Sequence, residues 1–585
     1  MSAQGPLSSL AYKTISEAIL APLSDPALAK GRAIITYDRA AHQPDRLGFP
    51  ELAERSMRAA HALHQRGVRR GDVVLVGVDA CAEFPALFCG LVLLGALPCV
   101  VPPVQPGHAG RGARNALARL RAKTSAVMLI GAQESLKVLE SDPVLAGLQV
   151  ATPRELRDEG QATTSVIAAV GAAAPLFLQP TSGSTGDPKV AAISHANLVA
   201  SIRGMCATGR GDPSKDVGVS WLPMFHDMGL ISLLTAIYFH GQIVIQPSLN
   251  FLRDPMDWLR KISEYRGTVS AAPNFALGYC VRRYRRAALA GVDLGCWRCL
   301  VVGAERVDHS TLKSFAECFA PHGFSPDAFF PSYGTAETTL AITMPAAPTA
   351  GSWGRYIHGD RRLNAVRTAN MAPVGYLAHE SLPGEPVLSM GRPIPGVDVG
   401  ICDHDATALP DDVAGQIRVR GPTVMIGYYE DAEHTAAVIR EGWFYTGDIG
   451  YICEGELFVL GRIKELIILR GRNFYPHEFE DCLAAHPSVG KDRSIAFGIF
   501  DKQAGTEKLI VVIEPALFRE LGELRAQVQE RLRAQFGFGA SEVLFVRRGS
   551  LPRTSSNKLQ RAQCRNQYGS QLLATINERP TQAFA

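Results

Sequence analysis

Three observations predict an α/β fold with more than one domain for this chain. Its 585 residues are too many for a single hydrophobic core. Between about residues 50 and 450, short apolar stretches alternate with helical patterns. After about residue 390 the stretches become shorter and richer in turn signals, and a further strand and helix pattern begins near residue 464. The alternation is typical of parallel sheets covered by helices on both faces.

The apolar stretches of the first part are interpreted as buried strands because each is short, continuous and bounded by turn signals. They are residues 72–79, 124–131, 174–181, 242–248 and 299–305. Helical patterns cover residues 51–67 and 309–323. The most apolar run, residues 86–101, is shorter than a membrane span and contains Pro98. It therefore predicts a buried helix leading into a buried strand, and no membrane span.

The later part of the chain predicts two smaller units. Residues 415–422 and 455–462 alternate with turns, which indicates a β-rich subdomain at about residues 390–460. From residue 464 onward, two apolar strands precede the helical pattern ELRAQVQERLRAQFG, enough for a compact α+β domain. The predicted division is an N-terminal domain over 1–463, which includes the β-rich part, and a C-terminal domain over 464–585.

The composition is that of an ordinary soluble globular protein, since 46% of the residues are apolar and 20% are charged. A formal net charge of +4 is too dilute for a nucleic-acid-binding face, which requires clustered basic residues. The N-terminal residues lack a basic region followed by an apolar core, so no signal peptide is expected. The twelve cysteines lie mostly within apolar runs, which favours reduced thiols and a cytoplasmic location.

A polar loop, PTSGSTGDPKV at residues 180–190, follows one of the predicted strands. Ligands of open parallel sheets bind beyond the carboxyl ends of the strands. Glycines let a backbone approach an anion closely, and the hydroxyl groups and Lys189 are donors suited to phosphate oxygens. The loop is not a Walker A motif, because Lys189 is neither preceded by Gly nor followed by Ser or Thr. Taken alone, the same residues are also compatible with a flexible turn.

Seven motifs in the same order give the chain a specific resemblance to the adenylate-forming superfamily of acyl-CoA synthetases, peptide-synthetase adenylation domains and luciferases. The motifs are residues 180–190, 221–231, 301–307, 331–339, 445–450, 461–480 and 551–561. Within that superfamily, WLPMFHDMGLI, PSLNFLRDPMDWL, AAPNFALGYCVRR and KELIILRGRNFYPHEFE resemble the fatty acyl-AMP ligase branch. The resemblance implies attack of a carboxylate on the α-phosphorus of ATP, which gives an acyl-adenylate and pyrophosphate.

The resemblance also implies which residues bind Mg²⁺ and ATP. The expected ATP-binding residues are Thr181, Ser182, Gly183, Ser184, Thr185, Gly186, Lys189, Gly303, Ala304, Glu305, Tyr333, Gly334, Thr335, Asp448 and Arg462. In this set the loop holds phosphates, residues 303–305 lie against adenine, Tyr333 stacks on it, and Asp448 with Arg462 binds ribose. Glu337 is the expected Mg²⁺ ligand, since this hard cation prefers oxygen. Taken alone, Glu337 is better explained as a surface acid at a helix start.

The expected catalytic residues are Lys558, Glu337, Thr185 and Arg462. Lys558 matches the family lysine that reaches the carboxylate and the α-phosphate from a mobile C-terminal lid domain, and Lys464 lies at the family's hinge. His226 and Asp227 fall where the family lines its acyl pocket. For His226 the alternative is a histidine whose ring is satisfied by local hydrogen bonds. For Lys558 the alternative is a solvated surface lysine.

Two positions depart from the family pattern. Val190 replaces a glycine that commonly follows the loop lysine, and a β-branched residue there predicts an extended or helical loop exit. Asn557 replaces the glycine before Lys558, and asparagine tolerates the left-handed conformation best among the other residues. Neither change removes a charge, so activity is expected. A catalytically impaired nucleotide- or acyl-binding protein is the alternative from another class.

The length of one connecting segment predicts the acceptor of the acyl group. About fifty residues separate SYGTAETT from MGRPIPG, long for a plain loop. This length favours the ligase branch, in which an extra segment restrains the lid and the acyl group passes to the phosphopantetheine of an acyl carrier protein. The carrier is expected to be a separate protein. A fatty acyl-CoA ligase is the alternative, and the basic run CVRRYRR at 280–286 is either a carrier contact or a solvated helical face.

Overall fold

The three-dimensional structure of the protein is a computed structural model. It describes residues 12–38, 43–79, 81–104, 110–140, 142, 146–181, 189–346, 367–368, 387–469, 472–501, 506–517, 520–554 and 558–575. Strands and helices are numbered below in chain order. Two seven-stranded sheets form the large N-terminal part, and smaller sheets follow.

The first seven-stranded sheet has the order β13-β12-β11-β9-β10-β1-β2. Its strands are β1 (Ala33–Thr36), β2 (Asp45–Gly48), β9 (Val217–Ser220), β10 (Gln242–Ile245), β11 (Val269–Ala272), β12 (Cys299–Val302) and β13 (Phe329–Pro331). Neighbouring strands are parallel except for β2, which pairs antiparallel with β1 at the edge. The carboxyl ends of six parallel strands therefore meet at one edge of this sheet.

The second seven-stranded sheet has the order β20-β8-β7-β4-β3-β5-β6. Its strands are β3 (Val73–Gly77), β4 (Leu97–Val100), β5 (Met128–Gly131), β6 (Gln149–Ala151), β7 (Pro175–Thr181), β8 (Lys189–Ser194) and β20 (Gly427–Tyr428). β7 runs parallel to β4, as expected for a loop that lies beyond the carboxyl end of a parallel strand, but β8 returns antiparallel to β7. Thr181 and Lys189 are directly paired where the two strands meet the loop.

Helices cover and separate these sheets. They are α1 (Ile15–Ser24), α2 (Phe49–Gln65), α3 (Phe84–Leu94), α4 (Gly110–Thr124), α5 (Gln133–Leu139), α6 (Pro153–Glu159), α7 (His195–Thr208), α8 (Asp227–Phe239), α9 (Ser248–Arg253), α10 (Met256–Glu264), α11 (Asn274–Arg283) and α12 (His309–Phe319). Every residue of α3 is buried, and β4 follows it directly, which confirms the predicted buried helix and strand. Helices α2, α3 and α8 contribute to a core shared by both large sheets.

A β-rich unit follows, as the short apolar stretches and turn signals of the sequence predict. Its elements are β14 (Tyr333–Thr335), β15 (Leu340–Met344), β16 (Arg367–Thr368), β17 (Arg392–Pro393), β18 (Asp398–Cys402), β19 (Val413–Arg420), α13 (Ala432–Val438), β21 (Ile439–Arg440), β22 (Trp443–Cys453) and β23 (Glu456–Arg462). The long antiparallel strands β19, β22 and β23 form its centre. Most of the long connection before MGRPIPG lies outside the described residues.

Residues 467–575, here called the C-terminal module, have their own sheets and core. The elements are β24 (Ile467–Leu469), β25 (Arg472–Phe474), α14 (Pro476–Ala484), β26 (Ser494–Asp501), β27 (Thr506–Ile513), α15 (Leu521–Phe536), β28 (Glu542–Phe545) and α16 (Arg561–Gly569). The apolar side chains of α14 and α15 pack on the sheet to form a separate core. The large α/β part and this α+β module confirm the predicted fold class. Within the described ranges, no helix has both the length and the apolar character needed to cross a bilayer.

Candidate active site

A cavity of about 2140 Å³ lies between the large sheets, the β-rich unit and the C-terminal module. It is lined by every predicted site residue that the structure describes. These residues are Thr181, Lys189, His226, Asp227, Gly303, Ala304, Glu305, Tyr333, Gly334, Thr335, Glu337, Asp448, Arg462, Lys464 and Lys558. The predicted loop residues 182–186 and the departure at Asn557 lie outside the described residues. The fold therefore brings together residues that are almost 380 positions apart in the sequence.

A carboxylate, a guanidinium and a phenol meet on one wall of the cavity. Asp448 on β22 and Arg462 on β23 are directly opposite in the strand pairing. Arg462 Nε lies 3.0 Å from Asp448 Oδ1, and the Tyr333 hydroxyl donates to Asp448 Oδ2 at 2.6 Å. Burial raises the pKa of Tyr333, and the neighbouring carboxylate raises it further. Arg462 is half-exposed, so the guanidinium can reach a ligand without losing contact with Asp448.

The turn between β14 and β15 places Glu337 in the cavity. A Cβ atom at Gly334 would lie 1.6 Å from the Leu340 carbonyl oxygen, so the two strands approach too closely for any side chain there. A short 3₁₀ turn over 336–338 follows and carries Glu337. The Tyr428 hydroxyl donates to Glu337 Oε1 at 2.9 Å. This tyrosine is a site residue that no pattern in the sequence indicates.

Two lysines converge beside this turn. Lys189 Nζ lies 5.1 Å from the centroid of the Tyr428 ring. Burial lowers the pKa of Lys189, and the nearby Lys464 ammonium lowers it further, although the Glu337 carboxylate opposes both effects. Val190, the residue that departs from the family pattern, is fully buried in β8. The chain after Lys189 is therefore an extended strand, one of the two conformations that its β-branched side chain predicts.

Lys558 of the C-terminal module reaches the part of the cavity formed by residues 303–305. Its Nζ donates to the carbonyl oxygen of Ala304, which has a left-handed backbone with φ of 65°. Burial lowers the pKa of Lys558, while the carboxylates of Glu305 and Asp227 raise it. Burial raises the pKa of Glu305 to about 7, against the opposing effects of the Phe275 N–H group and Lys558. The Phe275 N–H donates to Glu305 Oε1 at 2.6 Å.

His226 and Asp227 lie at the N-terminus of α8, near Lys558. Burial lowers the pKa of His226 to about 4, and the Lys558 ammonium acts in the same direction, so its imidazole is neutral at pH 7. The His226 Nε2 atom is buried and has no hydrogen-bond partner among the residues that the structure describes. This argues against the alternative in which local hydrogen bonds satisfy the ring. Burial raises the pKa of Asp227, although the Lys558 ammonium opposes the change.

The predicted site residues in the cavity include cations suited to an anionic ligand. Lys189, Arg462, Lys464 and Lys558 are among the lysine and arginine side chains that line it, and Asp and Glu side chains line it as well. Within the part of the chain that the structure describes, no group of three or more His, Cys, Asp or Glu residues could hold a metal ion. A cation bound here would therefore need ligands from the substrate in addition to the Glu337 carboxylate.

Comparison with known proteins assigns the chain to a family. The model of the AMP-binding enzyme family matches residues 27–429. This protein is an AMP-binding enzyme. The match covers more than half of the chain and includes the β7–β8 loop, both large sheets and the turn that carries Glu337.

Individual relatives place the enzyme within the family. It is 32% identical to the putative ligase Rv1013 of Mycobacterium tuberculosis, over 89% of this chain and 94% of that one. It is 30% identical to JamA of Moorena producens, a medium-chain-fatty-acid–[acyl-carrier-protein] ligase, over 89% of this chain and 90% of that one. A solved structure from a study of fatty acyl-adenylate ligases of E. coli and L. pneumophila has a TM-score of 0.83 and 29% identity, covering 96% and 98%. The predicted membership of the fatty acyl-AMP ligase branch is confirmed.

The enzyme holds its C-terminal module against the large part through contacts that no sequence motif indicates. Lys491 Nζ donates to Asp308 Oδ2 at 2.6 Å and to Thr311 Oγ1 at 2.8 Å. Burial alone would raise the pKa of Asp308, but the Lys491 ammonium holds it well below its usual value. Arg306, three residues from Gly303, forms a second ion pair with Asp481. Arg306 lies in the motif at 301–307 and Asp481 directly follows the motif at 461–480, but no spacing rule links partners so far apart in sequence.

Arg561 connects Lys558 to the residues near Lys464. Its guanidinium binds both oxygens of Glu480, at 2.8 Å and 2.6 Å. It also donates to Glu465 Oε2 at 3.0 Å. Arg561 follows Lys558 by three residues, and Glu465 lies in the same 3₁₀ turn as Lys464. The network therefore links the segment that contains Lys558 to the turn that contains Lys464.

Proposed function

We propose that this enzyme activates a medium- or long-chain fatty acid with ATP, releases pyrophosphate, and transfers the acyl group from acyl-AMP to the phosphopantetheine arm of a separate acyl carrier protein. The observation that carries the proposal is the position of Lys558. A residue near the end of the chain enters the cavity and contacts Ala304, within the wall expected to bind adenine. The names of relatives suggest a fatty acid as the substrate and an acyl carrier protein as the acceptor.

In the first step, a fatty acid carboxylate oxygen forms a bond to the α-phosphorus of ATP while the bond to the β-phosphate oxygen breaks. No proton needs to be removed, so the catalytic demand is to stabilise negative charge on phosphate oxygens. Lys558 and Arg462 are the proposed catalytic cations. Lys189, Thr185 and the rest of the 181–189 loop would hold the departing pyrophosphate.

The remaining nucleotide contacts are proposed from the two cavity walls. Asp448 would accept hydrogen bonds from the ribose hydroxyls, since a carboxylate can bridge two vicinal donors. Residues 303–305 and the Tyr333 ring would enclose adenine, with Thr335 on a phosphate. Tyr333 already binds Asp448, so adenine and ribose recognition would share one hydrogen-bonded unit.

Glu337 is the proposed protein ligand for Mg²⁺. The residues fit this role because Mg²⁺ is commonly bound by one or two carboxylates together with substrate phosphates and water. Glu337 Oε1 is oriented by the Tyr428 hydroxyl, and Lys189 lies beside the same ring. When bound, the ion would neutralise phosphate charge.

The acyl end is assigned to the side of the cavity with His226 and Asp227. A neutral imidazole does not compete with Lys558 for the incoming carboxylate, and its buried Nε2 atom is available to a ligand. The Lys558 ammonium, which acts on Asp227, would offset the repulsion between the Asp227 carboxylate and the incoming one. We propose the division at 463 and 464 as the boundary of a moving lid, with Lys464 at its hinge.

An acyl-CoA ligase is the second candidate. FadD21 of Mycobacterium bovis, a putative fatty-acid–CoA ligase by name, is 33% identical over 68% of this chain and 71% of its own. The two candidates share the first step and differ only in the thiol that accepts the acyl group.

The test is fatty-acid-dependent pyrophosphate release with Mg·ATP across a chain-length series, followed by addition of CoA or of a phosphopantetheinylated carrier protein. The proposal predicts acyl-AMP that persists with CoA and is consumed by the carrier protein. Formation of acyl-CoA would favour the second candidate. Absence of pyrophosphate release with every acid would contradict both and favour the impaired binding protein.

A further inference from the structure

A basic and apolar patch lies beside the acyl end of the cavity. We call it the arginine rim, and it is formed by α9, by the C-terminal end of α11 and by the residues that follow α11. Its members are Leu252, Arg253, Arg282, Arg283, Arg285 and Arg286, all of them exposed. Leu252 is 44% exposed, so a large apolar side chain lies at the surface among these arginines.

Tyr279 holds the two helices of the rim together. Its hydroxyl donates to the Leu252 carbonyl oxygen at 2.6 Å, which joins α11 to α9. The guanidinium groups of Arg282 and Arg283 lie 6.0 Å and 5.5 Å from the centroid of the same ring. The leucine and these two arginines are therefore neighbours on one ordered surface.

The rim is continuous with the cavity. Leu249, Leu252 and Phe275 line the cavity that also contains His226 and Asp227. Phe275 lies in the first turn of α11 and Arg282 near its last residue, so α11 runs from the cavity to the rim. An acyl chain bound with its carboxylate near Lys558 would thus point its methyl end toward this surface.

The arginines of the rim carry uncompensated charge. Within the described ranges, none of the five forms an ion pair with a carboxylate. The acid that follows α9, Asp254, pairs with Arg260 at 2.5 Å instead. A cluster of arginines around one exposed leucine is typical of a surface that meets anionic head groups and inserts an apolar side chain among them.

We propose that the arginine rim docks the enzyme on an anionic lipid bilayer, from which the fatty acid enters the cavity. The idea rests on the proposed function for the identity of the acid, but the docking itself needs no turnover. Long-chain fatty acids partition from water into bilayers, so a cavity that opens against a bilayer receives its substrate where that substrate is concentrated. Leu252 would lie at the interface, with the arginines on lipid phosphates.

An acidic carrier protein has the same charge complementarity, but the geometry favours the bilayer. The carrier's thiol must reach the carbonyl carbon of acyl-AMP, which lies toward Lys558. A carrier docked on the rim would have to pass its arm through space that the acyl chain occupies.

The first experiment measures cosedimentation of the full chain with vesicles of phosphatidylcholine, with and without phosphatidylglycerol. Wild-type enzyme should bind only the vesicles with phosphatidylglycerol, and added salt should weaken binding. R282E/R283E should bind at least about tenfold more weakly, and L252S should also lose affinity. R547E/R548E is the matched control, since both arginines are exposed on the C-terminal module and should leave binding unchanged.

The second experiment compares pyrophosphate release from palmitate dissolved in these vesicles with release from octanoate in solution. R282E/R283E should lose most of its rate with palmitate and keep its rate with octanoate, which also shows that the variant is folded. Equal vesicle binding by R282E/R283E and wild type would overturn the proposal, as would no binding by wild type. Unchanged vesicle binding together with lost transfer from acyl-AMP to a carrier protein would assign the rim to the carrier. Vesicle binding without pyrophosphate release from any acid would leave the docking intact and refute the proposed function.

Discussion

At the scale of single residues, the protonation of Lys558 is set by a balance of burial and charge. Burial favours the neutral amine, whereas Glu305 and Asp227 favour the ammonium. The proposed chemistry requires the ammonium, because only the charged form stabilises phosphate oxygens. We therefore expect Glu305 to raise the pKa of Lys558 without contacting the reacting atoms.

Glu305→Gln is expected to move the alkaline limb of the pH profile of pyrophosphate release to lower pH. Removing this carboxylate removes an attraction that raises the pKa of Lys558, so the ammonium loses its proton at lower pH. The glutamine oxygen still accepts from the Phe275 N–H group, which limits structural change. Glu317→Gln, an exposed acid on α12, is the control and should leave the profile in place. An alkaline limb that does not move in Glu305→Gln would contradict the tuning role.

The sequence predicted which residues line the site better than it predicted which residues contact one another there. Asp448 and Arg462 were predicted as a pair, and the strand pairing places them opposite each other. Tyr428 was not predicted, because it reaches Glu337 through β20, a strand of two residues with no periodic pattern. Val190 was predicted to be extended or helical, and only its pairing with Pro180 selects the strand.

At the scale of elements, the β14–β15 hairpin determines where Glu337 lies. Gly334 permits an approach that leaves no room for a Cβ atom. Thr338 caps the turn by accepting from the Thr335 N–H group at 3.2 Å. The turn then presents Glu337 to Tyr428 and Lys189.

Gly334→Ala is expected to destabilise the protein by about 2 kcal/mol or more, since the backbone must move to accommodate the methyl group. Because the strain lies at the turn that carries Glu337, pyrophosphate release should fall as well. Urea unfolding and rate measurements test both effects. Gly171→Ala is the matched control, since no atom lies within 4 Å of its added Cβ. Equal stability of the two variants would show that the close approach is not rigid.

The pairing of β8 could not be predicted from composition. Residues 174–181 were correctly predicted as a buried strand from their continuous apolar character. The direction of the following strand depends on the loop between them and on β20, which joins the same sheet from more than 200 residues away. Such long-range pairing has no local signature.

Lys491→Met is expected to slow pyrophosphate release by about fivefold, as the loss of one partly exposed ion pair would. The substitution removes the contact with Asp308 but leaves Asp308 free to cap α12 through the Thr311 N–H group at 2.8 Å. Stability of the large part should therefore change little. Lys313→Met is the control, because its ion pair lies within α12. An unchanged rate would show that the Lys491 contact does not hold the module in the active arrangement.

At the scale of the whole molecule, the chain builds one site from parts separated by most of its length. Residues of the large sheets, Asp448 and Arg462 of the β-rich unit, and Lys558 of the C-terminal module line the same cavity. The motifs predicted that residues from these separate parts contribute to one site. The ion pairs that hold the C-terminal module in place could not be predicted from the sequence. They depend on how two folded surfaces meet, which no local pattern encodes.

Arg561→Met is expected to destabilise the C-terminal module by about 3 kcal/mol, because it leaves two acids that are mostly buried without their cation. Hydrogen exchange should rise in α14 and α16 before it rises in the large sheets. Arg533→Met, an exposed arginine on α15, should have little effect. Uniform exchange in both variants would mean that the network does not support the module.

The most direct test of the central claim is fatty-acid-dependent pyrophosphate release by wild type and Lys558→Ala in single turnovers, together with transfer from supplied acyl-AMP to a carrier protein. If Lys558 stabilises the phosphate charge during adenylation, pyrophosphate release falls by about 10² to 10³-fold while the transfer step stays within a few-fold of wild type. Unchanged pyrophosphate release in Lys558→Ala would contradict the account, because the cation that the C-terminal module brings to Ala304 would then have no part in forming acyl-AMP.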